Sequence, residues 1–270
     1  MLVFVLASPG LLRSLRRQRE VREFVVRTVY FDIDDKTEEL NRNLRKNKDL
    51  AKDFDERFEV SWIFHENALE GTVLDVFDLK AALDHVASND GVLIPVYQRI
   101  RNHKNAIDKI KQIAVESSRA PTLSLIKNLH QILSFGLSNQ EAGVYRRDIP
   151  IHRTYFHEIS SPSKIANQMD KLLKKMKTAA YRQLHPIQQA AEVHYRFMNI
   201  FPFDTDSGKV ARLLMNLFVI RAGYMPVIIP HVERQRYYDA LRMGSSDLHA
   251  LIVDCLQHQL DQSLKYFQEL

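Results

Sequence analysis

Residues 37 to 70, TEELNRNLRKNKDLAKDFDERFEVSWIFHENALE, contain neither glycine nor proline. A run that long without a chain breaker, rich in Glu, Lys, Leu and Arg, satisfies its backbone most simply as a helix. It is read as one long helix that stops at Gly71. The rest of the chain shares the bias: 270 residues hold only 8 Gly and 9 Pro, too few for a loop-rich or all-β protein. The expected class is all-α, and the length suits one large domain or two small ones.

Asp75 is expected to cap the next helix, with Asp78 in capping-box spacing and Leu79, Ala82, Leu83 and Val86 as its apolar stripe. Asn89-Asp90-Gly91 reads as a turn. Further helices are expected over residues 100–117, 121–135, 162–178 and 185–200. After Pro202 comes a tight polar loop, DTDSG. Val210, Leu213, Leu214, Leu217 and Phe218 then mark a helix ended by Gly223, and two more fit 234–243 and 246–268. The segment 148–162, DIPIHRTYFHEISSP, alternates and is flanked by prolines, which suggests a small β-hairpin or extended flap.

Net charge is +5, from 38 basic and 33 acidic residues. Much of the excess sits in runs such as Arg13 to Arg19 and Lys171 to Lys177, which solvate helix faces. No aromatic-interleaved basic stripe is present, so nucleic acid is a weak option as partner. The single Cys255 excludes a disulfide within the chain; it reads as a small buried hydrophobe, and a cytoplasmic setting is expected. The opening MLVFVLASPGLL is too short to span a bilayer and lacks the leading positive charge of an export signal, so it is expected either to pack or to reflect a misassigned start codon, with no membrane partner. There is no HExxH and no Cys/His cluster to suggest zinc.

The chemistry concentrates in HYRFMNIFPFDTDSGKVARLLMN, residues 194–216: a helix, a tight acidic loop, and a second helix. Ser207-Gly208 opens the second helix, and Lys209 and Arg212 lie three apart on it. Free amides and the positive dipole end at a helix start bind anions, and glycine lets the backbone approach a phosphate. From these residues alone two readings stand, an anion site or a solvated first turn with Lys209 on the surface.

The stretch resembles the signature of the Fic/Doc (Fido) family, H-x-F-x-[D/E]-G-N-G-R-x-x-R, laid over residues 201–212. Pro202, Phe203, Gly208 and Arg212 match. Phe201 stands at the catalytic histidine, Thr205 at the metal-binding carboxylate, Asp206 at the first glycine, Ser207 at the asparagine and Lys209 at the first arginine. LIKNLHQIL with His130, EAGVYRRDIPI, HPIQQAAEVHYRFMNI with His185 and His194, Gly223-Tyr224-Met225-Pro226 and RYYDAL resemble further family segments in the family's order, over roughly residues 61–270. HENALEG, residues 65–71, resembles the inhibitory helix motif [S/T]-x-x-x-E-[G/N], with Glu70 and Gly71 in place and Glu66 where the Ser/Thr stands. The resemblance implies a Fic-type helical domain with a small β-hairpin flap. It divides the chain into an unassigned segment 1–36, N-terminal helices 37–95, and a core with C-terminal helices 96–270.

In the family the histidine takes a proton from a target hydroxyl, which attacks a nucleotide phosphate; the carboxylate holds Mg²⁺, and loop amides and arginines bind the phosphates. The resemblance thus implies ATP or another nucleotide, with Mg²⁺, on Asp206, Ser207, Gly208, Lys209 and Arg212, with Asp204 or Asp206 as metal ligand. It implies Glu70 as an inhibitory partner of Arg212 and a protein partner at the flap 148–162. Phe201 cannot accept a proton, and a positioned base contributes ~10²–10⁴-fold. His194 reads as a hydrogen-bonded core residue, and His152 and His157 as surface residues of the flap. The leading expectation is a nucleotide-binding or regulatory pseudo-enzyme resembling protein adenylyltransferases. The alternative is an active nucleotidyl- or phosphotransferase with an unorthodox base, and a third option is purely structural use of the fold.

Overall fold

The computed structural model describes residues 9–85, 90–137, 141–150 and 157–269, with side chains described from residue 28 onward. Among the described residues the regular elements are all helical. They are α1 (Pro9–Lys46), α2 (Lys48–Leu69), α3 (Val76–Leu83), α4 (Leu93–Glu116), α5 (Leu123–Ser134), α6 (Ile165–Met176), α7 (Ala179–Arg182), α8 (Pro186–Ile200), α9 (Ser207–Arg221), α10 (Arg234–Met243) and α11 (Ser245–Gln268). Single 3-10 turns at Pro162–Lys164 and His231–Glu233 lead into α6 and α10.

Local chemistry sets most boundaries. The carboxylate of Asp75 accepts from the Phe77 amide at 2.6 Å, and the Thr122 hydroxyl accepts from Leu125 at 3.2 Å. His185 caps α8 through Ile187 N, while Gln188 Oε1 returns to His185 N at 3.2 Å and Pro186 takes the first helical position. Gly223, at φ 91, follows the end of α9 in the left-handed region. Asp78 does not complete a capping box with Asp75; its carboxylate accepts from the Tyr97 hydroxyl at 3.1 Å and ties α3 to α4. Of the expected stripe, Leu79 and Ala82 are buried, while Val86, like Asn89 of the turn, lies outside the described residues.

Three expectations change. The helix read over 37–70 is two helices, parted at Asn47, whose extended backbone (φ −131) and side chain, accepting from Leu50 N at 3.1 Å, start α2 afresh. Upstream, α1 reaches back to Pro9, and from residue 28 it is bound to the body of the protein: Tyr30 stacks on His185 with centroids 3.8 Å apart, and Asp34 accepts from the Tyr224 hydroxyl at 2.6 Å. Of the expected hairpin, residues 151–156 lie outside the described residues, and 148–150 and 157–161 form no strand.

α9 is the central element. It is buried from Ser207 to Val219 and packs against α8, α4 and α5; α8 in turn packs on α6 and α11, and α11 carries α1 and α10. Each large apolar side chain so buried contributes roughly 1.5–3 kcal/mol. The extended segment after Gly223 is held by amide side chains in place of a strand partner. Asn216 donates to Val227 O at 3.0 Å and accepts from Val227 N at 2.7 Å, and Gln259 accepts from Ile228 N at 2.9 Å. Among the described residues, no helix is long and apolar enough to cross a membrane.

Candidate anion site at the start of helix α9

α8 ends at Phe201, a non-glycine residue in the left-handed region (φ 47, ψ 66), with its amide on Phe197 O at 2.8 Å and its ring 1% exposed. Such a conformation costs about 1–3 kcal/mol and persists where neighbours over-determine it. Arg146 supplies that hold. Its buried guanidinium donates to Phe201 O at 2.7 Å, Asp148 O at 2.7 Å and Ser160 O, while its own amide donates to Pro202 O at 2.9 Å. Both described ends of the flap are thus fastened to the loop by one side chain.

The loop closes on itself. Ser207 Oγ accepts from Phe203 N at 2.8 Å and donates to Phe203 O at 2.9 Å. His130 stacks on Phe203 at 4.0 Å, accepts at Nδ1 from the Gly143 amide at 2.9 Å, and meets Thr205 O at 3.2 Å through Nε2, which is therefore the protonated nitrogen. Burial lowers the pKa of that imidazole, with Asp206 opposing. Asp206 turns the chain into α9 at φ 54, in a region that Asp tolerates better than most residues. The first helical bond is Val210 N to Asp206 O at 2.9 Å, so the Ser207, Gly208 and Lys209 amides precede it.

Two ion-paired cations flank these amides. Lys209 is 7% exposed and pairs with Asp206 at 3.1 Å, so the surface lysine of one sequence reading is a buried one. Arg212 is fully enclosed. Its Nε donates to Glu66 Oε2 at 2.6 Å and its Nη2 to Glu70 Oε1 at 2.9 Å, with the Tyr237 ring 6.0 Å away. Burial works against its charge, and Glu66, Tyr237 and Glu70 outweigh it, leaving the guanidinium pKa well above its ordinary value. A Cβ on Gly208 would collide with Glu70 Oε1 and lie 3.0 Å from Arg212 Nη1. The Glu70 carboxylate therefore lies against the start of α9, where an anion would approach.

Burial holds two histidines beside the site below their ordinary pKa. Burial, reinforced by Lys209 and Arg212, pushes His103 well below its ordinary pKa, and among the described residues neither of its ring nitrogens has a hydrogen-bond partner. His194, expected as a core residue, is one: Nε2 meets the Tyr237 hydroxyl at 2.9 Å, and burial pushes its pKa down to about 3. His157 corrects the sequence reading, because it is buried, with Nε2 on Met198 O at 3.0 Å. His152 lies outside the described residues. Asp204 is exposed and lines a cleft of about 240 Å³ with His130, Glu141, Tyr145, Asp148 and Thr205.

Residues 120–219, which contain the loop and both flanking helices, match the model of the Fic/DOC family. This stretch is a Fic/DOC-family domain. A protein adenylyltransferase Fic of Drosophila virilis is 27% identical over 256 residues, covering 93% of this chain and 52% of the relative. The chain spans about half the length of that relative and of the next curated one it matches. Among solved structures, Fic-1 from C. elegans superposes with a TM-score of 0.76 at 20% identity, covering 97% of this chain and 79% of that chain. A Fic domain containing signaling protein from Bacteroides thetaiotaomicron does so at 0.73 and 20%, covering 87% of this chain and 97% of that one. The helical arrangement is the Fic fold.

Within this Fic domain, Gly208, Lys209, Arg212 and Glu70 converge at the α9 start, with Asp206 turned onto Lys209 and the Ser207 hydroxyl turned back onto Phe203. Asp204 stands apart on the cleft rim. Sequence reasoning passed over three participants: Glu66 as a second partner of Arg212, Arg146 as the flap's fastening, and His103 beside the charged pair. The only signal for Glu66 was its spacing of four from Glu70, which places both on one helix face.

Proposed function

We propose that the chain is a nucleotide-binding Fic-domain pseudo-enzyme, regulatory in role, whose site admits a nucleotide without transferring it. The observation that carries this reading is Phe201: a buried ring, with no group to accept a proton, at the end of α8 where the family's motif has its histidine. The amides of Ser207, Gly208 and Lys209, with the guanidinium of Arg212, supply the phosphate contacts, and Glu70 is the inhibitory group that fills their place. Relatives named as protein adenylyltransferases make ATP the first nucleotide to test.

Of the two carboxylates beside Thr205, Asp206 is neutralised by Lys209, and exposed Asp204 is the one suited to a cation carried by the phosphates. Mg²⁺ there would neutralise phosphate charge. Residues 37–95 serve as regulatory helices for the core 96–270, and the flap 148–162, fastened by Arg146, is the surface for a protein partner. The buried thiol of Cys255 suits a cytoplasmic setting. The alternative, a transferase with a displaced base, is favoured by His157, whose ring centroid lies 6.3 Å from that of Phe201.

The test combines binding with turnover. Calorimetry should show ATP binding tightened about tenfold by Glu70→Gln. Labelled ATP with Mg²⁺ should give no transfer with the unmodified chain or with that variant. Phe201→His alone should recover little, because groups acting together on metal and phosphate are non-additive. Adding Thr205→Asp, Asp206→Gly and Ser207→Asn should recover more. Robust transfer by the unmodified chain, abolished by His157→Ala, would establish the alternative.

A further inference from the structure

Arg212 meets two carboxylates in different settings. Glu66 is 2% exposed within the last turns of α2 and receives Nε at 2.6 Å. Glu70 caps the end of that helix beside Gly71, its side chain 13% exposed, and receives Nη2 at 2.9 Å. Among the described residues Nη1 has no hydrogen-bond partner, and it faces the α9 start, 3.0 Å from where a Cβ on Gly208 would lie. Lys209 is occupied by Asp206.

A buried cation stripped of its last counter-charge is strongly destabilising. Were Glu70 the sole partner, its departure would strand Arg212; with Glu66 in place the guanidinium stays neutralised and oriented. We infer that Glu66 is a fixed anchor that keeps Arg212 charged and aimed at the α9 amides, which makes Glu70 a removable stopper rather than a permanent one. This deepens the proposed function and rests on its reading of Glu70 as the occupant of the site. A phosphate-type anion that displaces Glu70 then meets Nη1 and Nη2 while Nε stays on Glu66. Glu66 touches no ligand in this arrangement and is a positioning residue.

The experiment is a double-mutant cycle on the full chain, read by thermal unfolding. Glu70→Gln alone should lower the midpoint by no more than about 3 °C, and by roughly 10 °C in a Glu66→Gln background. If the double variant does not fold, adding Arg212→Met should restore folding, because the stranded charge is gone. Equal losses in both backgrounds, or a triple variant that also fails to fold, would overturn the anchor. Titration with inorganic pyrophosphate supplies the second readout. Binding should tighten about tenfold in Glu70→Gln and weaken by a similar factor in Glu66→Gln, where Glu70 becomes the sole counter-ion. Tighter binding in Glu66→Gln would instead make Glu66 a second stopper and overturn the inference. Thermal coupling without binding of pyrophosphate or ATP by any variant would leave the anchor standing and remove the nucleotide-binding reading.

Discussion

Oε1 of Glu70 lies so close over Gly208 that a methyl group on that Cα would collide with it. The glycine is therefore needed for close approach, since α9 is an ordinary right-handed helix at that point. Gly208→Ala should push Glu70 off Arg212. The gain of about 1 kcal/mol that alanine gives inside a helix is outweighed by the lost charged hydrogen bond, for a net loss of about 1 kcal/mol or more. Unlike Glu70→Gln, it should not improve ATP affinity, because the methyl group stands in the path of the phosphate. Thermal unfolding with and without ATP reads both effects; a variant more stable than the parent would mean that the site has room.

Arg146 donates to the carbonyls of Phe201, Asp148 and Ser160 from a buried position. Arg146→Met keeps the packing and leaves those acceptors without it, at a cost of about 3 kcal/mol. The urea midpoint should fall accordingly, and proteolytic cutting within 148–162 should accelerate. Arg146→Lys, with one donor group in place of a fork, should recover only part of the loss.

Acid should destabilise the fold through histidines that native burial keeps neutral. An unfolded histidine takes up a proton near pH 6.5, whereas burial holds His194 down to about 3 and His103 well below its ordinary value. The unfolded chain binds more protons throughout that window. Stability is therefore full above about pH 6.5 and falls as pH drops below it, for His194 down toward 3, by up to about 1.4 kcal/mol per pH unit while the histidine stays neutral in the fold. His103→Leu should make the acid limb shallower below about pH 6.5, at little cost at pH 8, because among the described residues its ring nitrogens have no hydrogen-bond partner to lose. An unchanged slope would show that His103 takes its proton within the native fold.

Much of the helical frame was legible because its signals are local. Asp75 before α3, Pro186 opening α8 and Gly223 after α9 act on backbone groups within a few residues of themselves. The break at Asn47 escaped notice for a related reason. Asparagine is tolerated inside helices as well as favoured before them, and its cap bond to Leu50 forms only once the chain has turned there. The short α7 offers no periodicity to read.

The sequence by itself determined a helical chain, a glycine-opened helix after an acidic loop, and a family likeness that set Glu70 against Arg212. Tertiary structure alone decided what each charge does there. Glu66 is 146 positions from Arg212, and whether Lys209 lies on the surface is decided only when α4, α5 and α8 close around α9. Local propensity carries no record of such contacts, since the worth of an ion pair depends on how much water the rest of the fold removes from it. Once α9 is enclosed, Arg212 must keep a counter-charge, and the packing of α2 brings two carboxylates within its reach.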